Sequence, residues 1–322
     1  MSIVFIRFPA PPGDAHPGDA LQRAALLERL LARADACTDV TDWRLEAYRV
    51  LAGDSEAAPA VGPAALHAAL RFGAGASAFR SARAYMATPV HCVAAMTNVR
   101  LPPGGVLRLE SAEAAELADD FNRVFAAGAQ RLIAAPDGSL CCVFEPGIVA
   151  TGADPLSVVG HDIHGFLPSG PDGASMRRLM CEIEMWLFEH RVNQRRAAAG
   201  ALPVTGLWIW GGGPTVSRLP SLRGWMLGAD PFFAAWPALA ASGLAAAPGR
   251  AADPGLIVIA DLPGSAAWRE AQVAWLLPAL ASLRSGRIAR LELCAGQRRY
   301  SLSARWRWRF WRRSRPWWEF FE

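Results

Sequence analysis

The sequence predicts an α/β protein: a mostly parallel sheet flanked by helices, with a small inserted α+β domain. Three observations predict it. Strand-like and helix-like segments alternate at both ends of the chain, the pattern of an α/β layer structure. Leu256 to Asp261 is a continuous apolar run, the kind of strand a parallel sheet buries on both faces. Between about residues 86 and 160, several short strand-like segments surround a single helix, which marks an insertion. The expected division is therefore 1–85 with 161–322 as the core, and 86–160 as the inserted domain.

Each element has a local reason. Ile3 to Phe8 reads as a buried first strand, ended by the Pro- and Gly-rich stretch Pro9 to Gly18. Leu21 to Ala34 reads as a helix, with Leu26, Leu27, Leu30 and Leu31 on one face and Arg23, Glu28 and Arg33 on the surface. Further helices are expected at about Trp43 to Leu51 and Pro63 to Arg71. Pro89 to Met96, Gly105 to Leu109 and Ser139 to Glu145 read as strands. A helix capped by Ser111, with Glu113 and Glu116 in its first turns, runs through Leu117, Phe121 and Phe125 to Gly128. One long helix is expected from Ser175 to Gly200, packed through Met176, Leu179, Met180, Ile183, Trp186 and Leu187. Gly206 to Trp210 reads as a strand running into Gly211-Gly-Gly-Pro214. Ala234 to Ala252 is a low-complexity Ala/Gly/Pro patch, and Ala266 to Leu283 reads as a helix. Arg287 to Cys294 and Arg298 to Ser303 pair as a hairpin.

Composition removes several function classes. With 52% hydrophobic and 19% charged residues among 322, the chain has ample apolar surface to fold and is not an extended disordered polymer. All 33 basic residues are arginine, so any chemistry needing a lysine nucleophile, a Schiff base or a phosphate-loop lysine is excluded. The formal charge of +4 is concentrated in residues 305–322, which hold six arginines and two glutamates. The remainder is almost neutral and does not form a nucleic-acid surface by charge. The six cysteines (Cys37, Cys92, Cys141, Cys142, Cys181 and Cys294) show no zinc spacing and read as buried, reduced thiols. The apolar N-terminal run is broken by Arg7 and Pro9, unlike a signal peptide, and no stretch is long enough to span a bilayer. The expected location is the cytoplasm.

Five segments are candidates for chemistry. His161-Asp-Ile-His164 can bind a metal or a phosphate ester, or form an Asx-type loop with solvated imidazoles. His190, Asn193, Arg195 and Arg196 can clamp an anion, or serve as ordinary helix-end chemistry. Gly211, Gly212 and Gly213 end a strand, where backbone N–H groups approach ligands in α/β sheets. Asp261 ends another strand and suits a metal or substrate, or a turn. The segment from Arg305 alternates arginine with aromatics. It can dock on the body as an edge strand, or contact nucleic acid or an anionic membrane.

Taken in order, these segments resemble the archaeal-type, cofactor-independent phosphoglycerate mutases of the alkaline-phosphatase superfamily. His190-Arg-Val-Asn-Gln-Arg-Arg196, Gly200, Leu207-Trp-Ile-Trp-Gly-Gly-Gly-Pro214 and Leu219-Pro-Ser-Leu are similar to that family's central block. His161-Asp-Ile-His-Gly165 with Leu167-Pro-Ser-Gly-Pro171 is similar to the segment upstream of it. Leu26 to Arg33 resembles the first helix, and Pro89-Val-His91 through Phe125 the inserted domain. The resemblance implies an alkaline-phosphatase-like sheet and phosphoryl transfer through a serine or threonine on two divalent metals.

The sequence departs from that pattern at the metal ligands. Where the family has an aspartate after the first strand, Pro9-Ala-Pro-Pro12 stands, with Asp14 displaced. The late aspartate-x-x-glycine-histidine pattern is matched by Asp261-Leu-Pro-Gly264, but Ser265 replaces the histidine. The final aspartate-histidine pair has no counterpart, since no histidine follows His190. Thr38, Thr41 and Ser55 lie in the nucleophile's region without its motif.

The resulting expectation is a phosphoglycerate-mutase-like protein without its metal centre. It would be non-catalytic, regulatory or scaffolding, like a set of bacterial proteins of similar appearance, and would need no cofactor. His161, Asp162, His164, His190, Asn193, Arg196, Gly211 to Gly213 and Asp261 would line an anion or substrate cleft for a phosphorylated small molecule. A protein partner is the other expected ligand. The alternatives are an active mutase or phosphatase with a rearranged Mn or Zn site, and a nucleic-acid or membrane binder acting through 305–322.

Overall fold

The computed structural model describes residues 3–8, 25–37, 43–44, 82–145, 147–214, 225–227, 256–259, 276–295 and 298–320. The helices expected at about Trp43 to Leu51 and Pro63 to Arg71 lie almost wholly outside these residues, as do the Ala234 to Ala252 patch and Asp261. The chain divides into two compact units, Met1–Pro11 with Ala15–Ala58 and Pro220–Glu322, and Pro12–Asp14 with Pro59–Leu219.

The first unit holds a six-stranded sheet. Its strands are β1 (Ile3–Phe8), β2 (Asp35–Cys37), β9 (Trp225–Leu227), β10 (Leu256–Ile259), β11 (Arg290–Ala295) and β12 (Arg298–Ser303), in the order β2-β12-β11-β1-β10-β9. β1 runs parallel to both β10 and β11, and β10 parallel to β9. β12 is antiparallel to β11 and β2, which realises the expected hairpin. Helices α1 (Ala25–Arg33) and α5 (Leu277–Arg284) supply the buried leucines that meet Leu291, Leu293 and Leu302. Burying each such leucine is worth roughly 2 kcal/mol. Leu27, Leu30 and Leu31 follow the expected helical face. Glu28, expected on the surface, is buried.

The second unit is built on an antiparallel sheet. It comprises β3 (Arg83–Val90), β6 (Gln130–Ala134), β7 (Leu140–Phe144) and β8 (Gly206–Pro214), in the order β6-β7-β3-β8. A two-stranded ribbon joins β4 (Val93–Ala94) to β5 (Val99–Arg100). Strand alternation sends Leu207 and Ile209 to the core under helices α2 (Ser111–Val124) and α3 (Gly173–Phe188). Trp208 and Trp210 go to the opposite core with Met86, Val90 and Leu101. Both faces of this sheet are therefore covered.

Several expectations need correction. Among the described strands antiparallel pairing predominates, and parallel pairing is confined to β1, β9, β10 and β11. The mostly parallel sheet is thus replaced by a mixed α/β arrangement. The cause is β8, which pairs antiparallel with β3 rather than joining the first sheet. In the division into two compact units, the second unit runs to Leu219. The helix expected from Ser175 to Gly200 is two helices, α3 and α4 (Arg191–Ala198), broken where His190 turns extended at φ −67°, ψ 137°. The N-cap of α2 is Glu110, not Ser111; its N–H donates to Glu113 Oε2 at 3.1 Å. Gly105 to Leu109 makes an isolated bridge at Val106 rather than a strand. Ala304–Trp308 is a 3₁₀ turn, so the edge strand expected there does not form. Cys141, Cys142 and Cys294 are buried, but Cys181 is exposed. No helix among the described residues is long and apolar enough to cross a membrane.

Candidate functional site

Three candidate residues of the second unit, His190, Asn193 and Arg196, lie at the start of α4 and along it. Glu113, Glu116 and Asp120 follow one another at i, i+3 and i+7 on α2, so they share one helix face. α4 meets that face with a matching row of cations. Arg191 reaches Glu116 at 2.5 Å and Asp120 at 3.1 Å, and Arg195 pairs with Glu116. Arg196 places Nη1 2.9 Å from Glu113 Oε2, while its Nε donates to the Leu202 carbonyl at 2.8 Å. Glu113 thus caps α2 and binds α4 together.

His190 is the hinge of this arrangement. Its Nδ1 accepts from the Val192 N–H at 3.2 Å, which caps α4. Its Nε2 then carries the proton and donates to Asp120 Oδ2 at 3.2 Å. Trp186 packs edge-on at 4.8 Å. Burial pushes the imidazole pKa down, and this outweighs the pull of Asp120 and Glu116 in the other direction. Burial also works to raise the Asp120 carboxyl, but Arg191 and Arg123 outweigh it and hold that group below its ordinary value. Hydrogen bonding to Arg195 lowers Glu116 likewise.

Asn193 is buried one turn further on. Its amide donates to the Leu187 and Val204 carbonyls, each at 2.8 Å, and its Oδ1 accepts from the Val204 N–H at 2.8 Å. It ties the end of α3 to the chain entering β8. Its side-chain hydrogen-bonding capacity is nearly spent inside the fold.

The glycine run serves an aromatic ring. β3 and β8 change register between Ala84 and Met86, with Tyr85 at the irregularity opposite Gly211 and Gly212. Gly211 has φ +65°, a conformation a side chain would strain. A Cβ on Gly212 would lie 1.9 Å from the Tyr85 ring. The phenol is fixed by donating to the Ile148 carbonyl at 2.7 Å and accepting from the Ala150 N–H at 3.1 Å.

His161, Asp162 and His164 lie on an exposed loop. Asp162 Oδ1 accepts from the His164 N–H at 2.9 Å, an Asx turn, and the His161 ring sits 5.9 Å from Phe166. The structure thus places His190, Asn193 and Arg196 at the start of α4 and along it, each side chain with its own partners, and among the described residues shows no hydrogen bond between them and the His161 loop. The partners that sequence reasoning missed are Asp120 and Tyr85. Asp120 is 70 residues from His190, and no local spacing signals that pairing.

Comparison with known proteins gives sequence relatives over part of the chain. A 2,3-bisphosphoglycerate-independent phosphoglycerate mutase of Methanothermobacter thermautotrophicus is 31% identical over 114 residues, 35% of this chain. One from Methanothrix thermoacetophila is 30% identical over 109 residues, 34% of this chain. The chain is phosphoglycerate-mutase-like. The matches span 28% and 27% of those relatives' own lengths. The solved cofactor-independent mutase of Thermoplasma acidophilum aligns over 94% of this chain and 90% of its own, at 15% identity and TM-score 0.38. A Pyrococcus horikoshii protein aligns over 91% of this chain and 81% of its own, at 11% identity and TM-score 0.39. No protein-family profile matches.

Asp14, Asp261 and Ser265, which stand nearest the ligand positions of the binuclear metal centre that the resemblance implies, lie outside the described residues. Such a centre needs clustered imidazoles and carboxylates. Among the described residues no three His, Cys, Asp or Glu side chains form a group able to hold a metal ion.

Proposed function

We propose that this phosphoglycerate-mutase-like chain is a non-catalytic protein, regulatory or scaffolding, which has lost the family's metal centre. One observation carries the reading. His190, Asn193 and Arg196, the candidates most similar to the family's central block, direct their polar atoms at Asp120, at Leu187 and Val204, and at Glu113 and Leu202. These groups hold elements together, and a substrate would have to break those bonds to recruit them. Ser265 in place of a family histidine points the same way. The reading carries a phosphorylated small molecule or a protein as ligand, and the cytoplasm as location.

The test is metal analysis of the purified full chain together with a 2-/3-phosphoglycerate turnover assay. We expect less than stoichiometric Mn or Zn and no turnover above background. Chelator-sensitive turnover, or one to two equivalents of metal lost in Asp261→Ala, would establish the rearranged-site enzyme instead.

A further inference from the structure

The Arg/Trp segment of the first unit carries an inference that does not depend on the mutase-like reading. This segment is fixed, not frayed. Trp306 and Phe320 are buried in the core with α1 and α5, and the Tyr300 hydroxyl donates to the Phe320 carbonyl at 2.7 Å. Arg309 donates to Asp35 at 2.7 Å and to the Arg33 carbonyl at 3.1 Å, and Arg312 donates to the Ala34 carbonyl at 2.6 Å. Held this way, the segment still leaves Trp308, Phe310 and Trp311 at 69%, 72% and 65% exposure. Three large rings exposed within four residues, two of them in contact, form an apolar patch that a solitary soluble surface seldom carries.

Beside the rings lies a groove of about 500 Å³ between α1 and this segment. Arg29, Arg33, Arg312, Arg313, Ser314 and Phe310 line it, and no carboxylate does among the described residues. Arg29 and Arg313 make no ion pair with a described residue. The Nε of Arg33 is buried without a hydrogen-bond partner. Arg312 is held by the Ala34 carbonyl and lies 3.9 Å from the Asp35 carboxylate, which leaves Arg29, Arg33 and Arg313 to meet the phosphate of a headgroup, whose geometry the planar guanidinium matches. Aromatic rings and arginines on one face fit the boundary between headgroups and acyl chains.

We propose that this face docks on an anionic phospholipid surface. Headgroup phosphates would occupy the arginine groove, and Trp308, Phe310 and Trp311 would enter the interface. Two observations favour lipid over a nucleic acid strand. The cationic groove is compact rather than a track, and outside 305–322 the chain is almost neutral. Phe310 and Trp311 also pack edge to face, at 5.7 Å and 78°, instead of presenting parallel faces for stacked bases.

The experiment is vesicle co-sedimentation of the full chain, using phosphatidylcholine with and without phosphatidylglycerol over a sodium chloride series. Two variants accompany it: Arg29→Gln with Arg313→Gln, and Trp308→Ser with Phe310→Ser and Trp311→Ser. Circular dichroism and melting are to match the parent. Binding to phosphatidylglycerol vesicles alone, falling with salt and about tenfold weaker or more in each variant, supports the proposal. A blue shift of tryptophan emission on binding, lost in the aromatic variant, supports it too. Equal binding to neutral vesicles, or an aromatic variant that binds like the parent, overturns it. So does tighter binding to a single-stranded RNA oligomer than to vesicles, or capture of inorganic phosphate without vesicle binding. If the aromatic variant does not fold, the arginine variant alone decides.

Discussion

Asn193 joins three stretches of chain through one amide, and losing it leaves both polar groups of Val204 unpaired and takes one donor from the Leu187 carbonyl, which still accepts from the His190 N–H. A buried group left without its partner costs about 1–3 kcal/mol. Asn193→Leu is therefore expected to lower unfolding free energy by about 3 kcal/mol, read from urea denaturation. Gly212→Ala is expected to be of similar severity, about 2–4 kcal/mol, because its new methyl meets the Tyr85 ring and not open space. Pairing that change with Tyr85→Ala should give a double-mutant coupling, since the ring is the obstacle. If the two effects simply add, the glycine has another reason for being there. At this scale the sequence pointed to the right residues and left their role open. Asn193, Arg196 and the glycines stand out by type. Their meaning lies in partners far along the chain, such as Glu113 and Tyr85, which no spacing rule pairs with them.

Between elements, the seam of α2 and α4 is a ladder of unlike charges with one neutral imidazole at its head. His190 must stay neutral for its Nδ1 to cap α4. Its pKa is lowered on folding, so the unfolded chain takes up a proton first as pH falls. The stability it contributes is present above the ordinary histidine value of about 6.5, and is lost as pH falls through the folded-state value. Asp120 and Glu116, also facing α4, have lowered carboxyl values, so their contribution is lost only at more acid pH, below about 4. Comparing His190→Gln with the parent between about pH 7 and pH 5 should show a smaller loss of stability in the variant. Identical slopes would remove His190 from the explanation. The break at His190 was hidden because the apolar repeat of α3 runs into a segment rich in good helix formers. Only the capping geometry shows where one helix stops.

For the molecule as a whole, the legible part of the fold was what local pattern controls. β7, β10, the β11–β12 hairpin and the apolar faces of α1 and α3 follow from periodicity. Strand direction and partnership did not follow. Gly206 to Trp210 reads equally well as a parallel or an antiparallel strand, because Leu207 and Ile209 face one core while Trp208 and Trp210 face another. Covered on both sides, it lacks the polar alternation that marks an antiparallel strand with one wet face.

That pairing of β8 with β3 also sets an order of events during synthesis. The two strands lie more than a hundred residues apart, and their register runs from Val90 with Gly206 to Arg83 with Pro214. Until the ribosome has released the later strand, β3 presents a bare edge with open backbone donors and acceptors. Contacts closed over so long a loop form slowly. The nascent second unit is therefore most vulnerable to illicit strand exchange before residue 214 emerges, and a chaperone guarding β3 would find its substrate there.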